Sequence, residues 1–175
     1  MGRYFSPEQI SLSGRIFTQA ERLTGNYFRI APAEWKESRY DVKTLAFLEK
    51  HEVREDAFAH LCKYQIRREP EERKDGFHFY RICLQDDRII DAVERANSFI
   101  RLSPLLLYIA VHELVHVIRF ELGEGNFDAP DDEKTDEEEK VHRITRNLLK
   151  PATDSDMNLV LDCFSDRYRI GDLVQ

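Results

Sequence analysis

The run at 102–118 constrains this 175-residue chain more than any other stretch. It is the most apolar segment of the sequence, yet it carries His112, Glu113 and His116 near its end. Titratable side chains are seldom buried without a partner. In lipid, three of them within one span would be costly. The run therefore reads as a buried helix whose polar groups have a purpose, and no membrane partner is expected.

His112-Glu113-Leu114-Val115-His116 has the pattern H-E-x-x-H. On a helix, residues four apart lie about 40° from one another around the axis, so both imidazoles project from one face. That spacing suits two corners of a tetrahedral Zn2+ site. Glu113 lies about 100° away, beside such a metal, where it can take a proton from an activated water. With six His and 18 Glu in the chain, a shuffled sequence yields the pattern roughly 0.02 times. The blander reading is a pair of core histidines satisfied by hydrogen bonds.

Charge is distributed unevenly. Residues 121–139 hold ten acids and one base, Lys134, a local −9 within a chain of net −7. The remainder is close to neutral, which gives no support to nucleic-acid binding. Within this window, 124–136 has no apolar period and reads as a long solvated loop; a lid, or a repeller of acidic substrates, is the sharper reading. The local charge also favours a basic substrate. Arg119, one turn beyond His116, pairs either with an acid of this window or with a substrate carboxylate. Three cysteines (Cys62, Cys83, Cys163) with no CxxC argue against a disulfide framework or a cysteine zinc site. They read as buried thiols of a reducing, cytoplasmic compartment, and the opening MGRYFSPEQI lacks the apolar stretch of a secretory signal. His51, His60 and His78 have no partner at metal spacing.

Along the chain, Ser6-Pro7-Glu8 opens a helix that Gly25-Asn26 stops, with Ile10, Phe17, Ala20 and Leu23 inward. A second helix is expected over 32–50, with Trp35, Val42, Leu45 and Leu48 inward. Residues 59–67 and 77–85 read as two strands of a long hairpin. Helices follow at 86–98, from a Ser103 cap to Gly123, at 135–149, and at 156–164. The organisation is one domain, 1–175: a helical N-terminal region (1–55), a metal-binding core (56–151), and a C-terminal helix and tail (152–175).

The helix at 135–149 offers further donors. Its apolar direction is set by Val141, Ile144 and Leu148. At about 100° per residue, Glu137 and Glu138 fall within roughly 40° and 60° of that direction, Glu139 points about 160° away, and His142 lies at the border. Either Glu137 or Glu138 can reach a buried metal.

Residues 103–151 resemble the zincin metallopeptidases. The metzincin branch needs a glycine and a third histidine where Arg119 and Leu122 stand, so that branch is excluded. The gluzincin branch takes its third ligand from a glutamate on a later helix, in an E-x-x-A/S-D or E-x-x-A-N pattern, and Glu138-Glu139-Lys140-Val141-His142 is similar to it. The stretch EEEKVHRITRNLLKP is also similar to small intracellular zincins. The resemblance implies zinc held by His112, His116 and Glu138, with Glu113 as general base. It puts His142 where the family carries the Asp or Asn that orients a zinc-bound histidine; His142 as a ligand in place of Glu138 is the alternative. It also implies that the strand at 77–85 lines the substrate cleft, although aromatic alternation there also suits plain core. His142, Tyr80 and Tyr108 are the candidates for stabilising an oxyanion.

The expected whole is an α+β, zincin-like domain with a small sheet flanking the H-E-x-x-H helix. Its expected activity is zinc-dependent hydrolysis of a peptide or protein substrate. Two rivals are a metal-binding regulatory or interaction module on the same scaffold, without peptidase activity, and a metal-free structural protein.

Overall fold

A computed structural model describes residues 3–31, 33–34, 40–66, 77–97, 99–152 and 154–164. Among the described residues, five bounded helices and a three-stranded sheet make up an α+β architecture: α1 (Pro7–Phe28), β1 (Tyr40–Lys43), β2 (Ala59–Ile66), β3 (Phe77–Leu84), α2 (Asp86–Arg95), α3 (Leu102–Glu121), α4 (Asp131–Leu149) and α5 (Ser155–Cys163). Short 3-10 turns occupy Leu45–Phe47, Lys50–Glu52 and Lys150–Ala152.

The central element is α3. Every residue from Leu105 to Ile118 is buried, as expected for a helix apolar all round. The helix α1 runs along it, α4 and α5 pack on other faces, and β2 approaches from the sheet side. Its start differs from the expected one. Arg101, not Ser103, is the N-cap, so Pro104 falls within the first turn, where backbone N–H groups have no partner inside the helix and its missing donor costs little. At the far end Gly123 adopts φ +74°, and the Glu124 N–H reaches the Arg119 carbonyl at 2.9 Å, closing the helix through a left-handed glycine.

The sheet order is β1-β3-β2, with β1 parallel and β2 antiparallel to β3. The β2–β3 hairpin pairs in register from Ala59↔Leu84 to Ile66↔Phe77; its expected connection at 68–76 lies outside the described residues. Of the expected helix over 32–50, Ala33 and Glu34 are helical, but its described residues from Tyr40 onward are not. Tyr40–Lys43 is a strand and two 3-10 turns follow. Tyr40 and Val42 suit a strand, and pairing with β3 outweighs the loose helical spacing of Val42, Leu45 and Leu48. Trp35 lies outside the described residues, as does the tail 165–175. Thus 1–55 is not purely helical: it supplies an edge of the sheet.

In α1, Ser6 and Gln9 form a reciprocal capping box. Phe17 and Ala20 face the core, whereas Ile10 is largely exposed. The helix runs past Gly25-Asn26 and ends at Arg29, itself left-handed.

One buried carboxylate fastens three segments. Asp86, at the start of α2, accepts the Phe5 N–H at 2.8 Å and the Leu45 N–H at 2.9 Å. Burial pushes its carboxyl above the usual range, with the two amides pulling against that shift. Removing it leaves two amides unsatisfied, at about 1–3 kcal/mol each when buried. We expect Asp86→Ala to lower unfolding stability by about 2–4 kcal/mol in chemical denaturation, with Asp87→Ala, at a half-buried neighbour that accepts neither amide, shifting it by under about 1 kcal/mol.

Candidate metal centre

His112 and His116 sit one turn apart on α3, their rings 4.8 Å between centroids, and both are buried. The carboxylate of Glu138, from α4, lies between them. One oxygen is 3.0 Å from His116 Nε2 and the other 3.2 Å from His112 Nε2. The Glu138 side chain is 49% exposed, so it reaches inward from the rim of a cleft of about 530 Å³. His112, Glu113 and His116 line that cleft from α3.

Glu113 is buried on the cleft wall. Burial drives its carboxyl up, with the charges of His112 and His116 opposing. Glu138 goes the other way: burial raises it, but the His112 charge and the hydrogen bonds to both imidazoles outweigh that and hold it well below the carboxylate range. Two carboxylates at one site are thus pushed apart, the arrangement that separates a proton acceptor from a fixed anion.

The donor set fits Zn2+: two imidazole Nε2 atoms and a carboxylate converge from two helices, and no sulfur is needed. His142 can also contribute, since one donor atom each from His112, Glu138 and His142 lie within 4.8 Å of one another. Among the described residues, the buried Nδ1 atoms of His112 and His116 have no hydrogen-bond partner, so none of those residues supplies the outer support that usually orients zinc-bound histidines.

His142 lies against both Glu138 and an imidazole, its ring 4.3 Å from that of His112 between centroids and one nitrogen facing Glu138. Its Nδ1 and the Tyr108 hydroxyl share a hydrogen bond at 2.6 Å, and its Nε2 is 3.7 Å from a Glu138 oxygen. Burial and the neighbouring His112 push it down to about 3, so it is neutral. Tyr108 is itself buried and stacked on Phe164, with centroids 4.1 Å apart. Its hydroxyl is thereby committed to His142. Tyr80 is buried between Phe120 and Phe127.

The other acids of α4 sort by direction as the helical phase predicts. Glu139 is exposed. Glu137, the more inward of the two inward acids, is claimed by Arg119 through a pair of bonds at 2.6 and 3.1 Å. Arg119 also binds the Glu124 carboxylate at 3.1 Å and its backbone carbonyl at 3.3 Å. So Arg119 pairs with the acidic window.

That window is not the expected long loop. Helix α4 begins at Asp131, four residues before the expected start, which leaves only 122–130 as connection. Asp131, Asp132 and Glu133 fill the first turn of α4, where negative charge is favoured by the helix dipole. Asp128 meets Lys63 at 3.7 Å. Gly125 is packed so closely that an added Cβ would lie 2.6 Å from Glu137 Oε1. The connection is thus strapped to α3 and folded against α4.

The strand facing the cleft is β2, through Ala59, His60 and Leu61. The expectation that 77–85 forms that edge is corrected: β3 is the middle strand, and Ile82, Cys83 and Leu84 are fully buried. No protein-family model, curated protein or solved structure matches this chain.

Arg119 and Glu137 are 11% and 12% exposed, so their bidentate pair is shielded from water. A double-mutant cycle of Arg119→Ala and Glu137→Ala is expected to give a coupling of about 1–3 kcal/mol in thermal unfolding. The exposed pair Arg54–Asp56, at 50% and 67%, serves as a control, with coupling under about 1 kcal/mol.

Proposed function

We propose that this chain is a zinc-dependent hydrolase of peptide bonds, built on a gluzincin-like scaffold. The observation that carries the reading is the Glu138 carboxylate spanning the Nε2 atoms of His112 and His116 at 3.2 and 3.0 Å, with Glu113 beside them on the cleft wall. Zinc held by His112, His116 and Glu138 would supply Lewis acidity, lowering the pKa of a water toward neutral and polarising a carbonyl.

The chain's own residues do the rest. Glu113 takes a proton at a carboxylate oxygen whose pKa burial has raised, then returns it to the departing amine nitrogen. Neutral His142, fixed by the Tyr108 hydroxyl, backs Glu138 and limits its motion. The substrate would enter along the cleft between α3 and β2. Protein or peptide is the substrate class; the wall acids Asp56, Glu137 and Glu138 are taken up by Arg54, Arg119 and the two imidazoles, so they give no support to the preference for basic side chains expected from the charge of the acidic window.

A second reading is a metal-binding regulatory module without peptidase activity. It is favoured by the Nδ1 atoms of both histidines, which have no partner among the described residues, because loss of such outer support typically costs about 10- to 100-fold in metal affinity or activity.

Elemental analysis of protein purified without chelator is expected to find one zinc more per chain in the parent than in His116→Ala. No difference, with none gained on zinc titration, overturns the site. Glu113→Gln is expected to keep that zinc and lose hydrolysis of a peptide library. A parent that holds zinc but cleaves nothing favours the regulatory reading.

Glu138→Ala should weaken the same zinc at least about tenfold in chelator competition, since a direct ligand matters no less than its outer support. Glu139→Ala should stay within about twofold, because an exposed carboxylate contributes a few tenths of a kcal/mol. Equal losses in the two variants would put the wrong acid at the metal.

A further inference from the structure

The sheet carries a second group of donors, on β2 and β3; one member, His60, sits on the wall of the same cleft across from the H-E-x-x-H face of α3, but its donors are distinct from those of His112, His116 and Glu138. Alternation along β2 puts His60, Cys62 and Tyr64 on one side, and on β3 it puts Arg81 and Cys83 there. In the antiparallel register His60 is opposite Cys83, and Cys62 is opposite Arg81. The two thiols meet diagonally, Sγ to Sγ at 3.9 Å. Cys62 Sγ lies 4.0 Å from His60 Nδ1, and all three donor atoms fall within 4.8 Å of one another.

We propose that His60 Nδ1, Cys62 Sγ and Cys83 Sγ form a second metal site, for a thiophilic d10 cation such as Zn2+ or Cd2+. Four features carry it. First, the spacing is that of a coordination sphere. Ligands at about 2.3 Å (S) and 2.0–2.1 Å (N) from a tetrahedral centre stand about 3.8 Å (S to S) and about 3.6 Å (S to N) apart. The observed 3.9 and 4.0 Å need only a few tenths of an ångström of closure on those two edges, and the third, Cys83 to His60, is within 4.8 Å. A disulfide, by contrast, needs about 2.05 Å.

Second, the histidine is prepared. His60 Nε2 donates to the Glu52 carbonyl at 2.6 Å, which leaves Nδ1 unprotonated and facing the thiols. A ligating histidine is typically held in this way through its other nitrogen. That carbonyl is fixed in turn by Gln85 Nε2 at 3.0 Å.

Third, charge is accommodated. Two thiolates neutralise a divalent ion. The nearby Arg81 guanidinium is already taken up by Asp41 at 3.1 and 3.2 Å and by Glu52 at 3.2 Å.

Fourth, access exists on one side only. Cys83 is fully buried, whereas His60 and Cys62 are half-buried. Three protein donors leave the fourth position for an external ligand. The sequence lacks the CxxC spacing of a typical cysteine zinc site. Here the strands bring together cysteines 21 positions apart.

The site is independent of the zinc reading for His112, His116 and Glu138, and the test keeps the two apart. The reduced full-length chain is titrated with Cd2+ while thiolate-to-metal charge-transfer absorption is followed in the ultraviolet. The expected result is a band saturating at one equivalent, with affinity falling more than about tenfold in Cys62→Ser and in His60→Ala, and unchanged in the His112→Ala/His116→Ala double variant and in Cys163→Ser. Cys83→Ala should also lose the band. If that buried substitution unfolds the chain, Cys62→Ser and His60→Ala, each checked by circular dichroism, decide alone. No band in the parent, a band that survives Cys62→Ser, or one that depends on Cys163 overturns the proposal.

Discussion

Everything in this fold is arranged around the burial of α3, an apolar helix that carries three titratable side chains into the interior. Burying its leucines, isoleucines and valines on every side is favourable at about 25 cal/mol per Å² of apolar area. Burying His112, Glu113 and His116 is not, unless something meets them. What meets the two imidazoles is Glu138. The packing of α4 on α3 is therefore a polar solution to a problem set by α3. The strap that holds α4 in phase, Arg119 to Glu137 and Glu124, is built from the next turns of the same two helices.

Direction on α4 decides which acid does what, and three consecutive glutamates illustrate it. Glu137, Glu138 and Glu139 share one chemistry and differ only by about 100° steps. Glu137 is drawn to a guanidinium, Glu138 to imidazoles, and Glu139 to solvent. Helical phase alone ranks Glu137 ahead of Glu138 as the inward acid, and by side-chain exposure it is (12% against 49%). Inwardness and reach to the histidines are different quantities. The first is a matter of angle, the second of where along α3 each residue falls, and Arg119 lies one turn beyond His116.

What was legible from the sequence was local. The H-E-x-x-H face, the cap at Ser6, both hairpin strands and the helix ending at Gly123 all depend on residues within a few positions of one another. What was not legible depended on distant partners. Tyr40–Lys43 becomes a strand because β3 offers a parallel edge. Asp86 matters because Phe5 and Leu45 bring it their amides. The acidic window read as loop because it lacks an apolar period. Yet its acids suit the N-terminal turn of a helix, where charge substitutes for hydrophobic phase. His60 and Cys62, two apart on a strand, did carry a signal of a shared face; only the register with Cys83 turned it into a cluster.

The two donor clusters are held in place by different means. On α3 the histidines gain their alignment from the helix itself: i, i+4 spacing and the rings of His142 and Phe120 packed beside them leave little freedom, even though neither Nδ1 has a partner among the described residues. Orientation there is a property of packing, and Glu138, half exposed and backed by His142 and Tyr108, is the adjustable member. On the sheet the case is reversed. His60 is only half-buried, so packing cannot fix its ring. Its Nε2 bond to the Glu52 carbonyl does so instead, and Gln85 anchors that carbonyl from within the core. A side chain confined by its neighbours can do without an outer hydrogen bond, whereas one on an edge strand cannot. The difference in support follows from where the fold places each histidine.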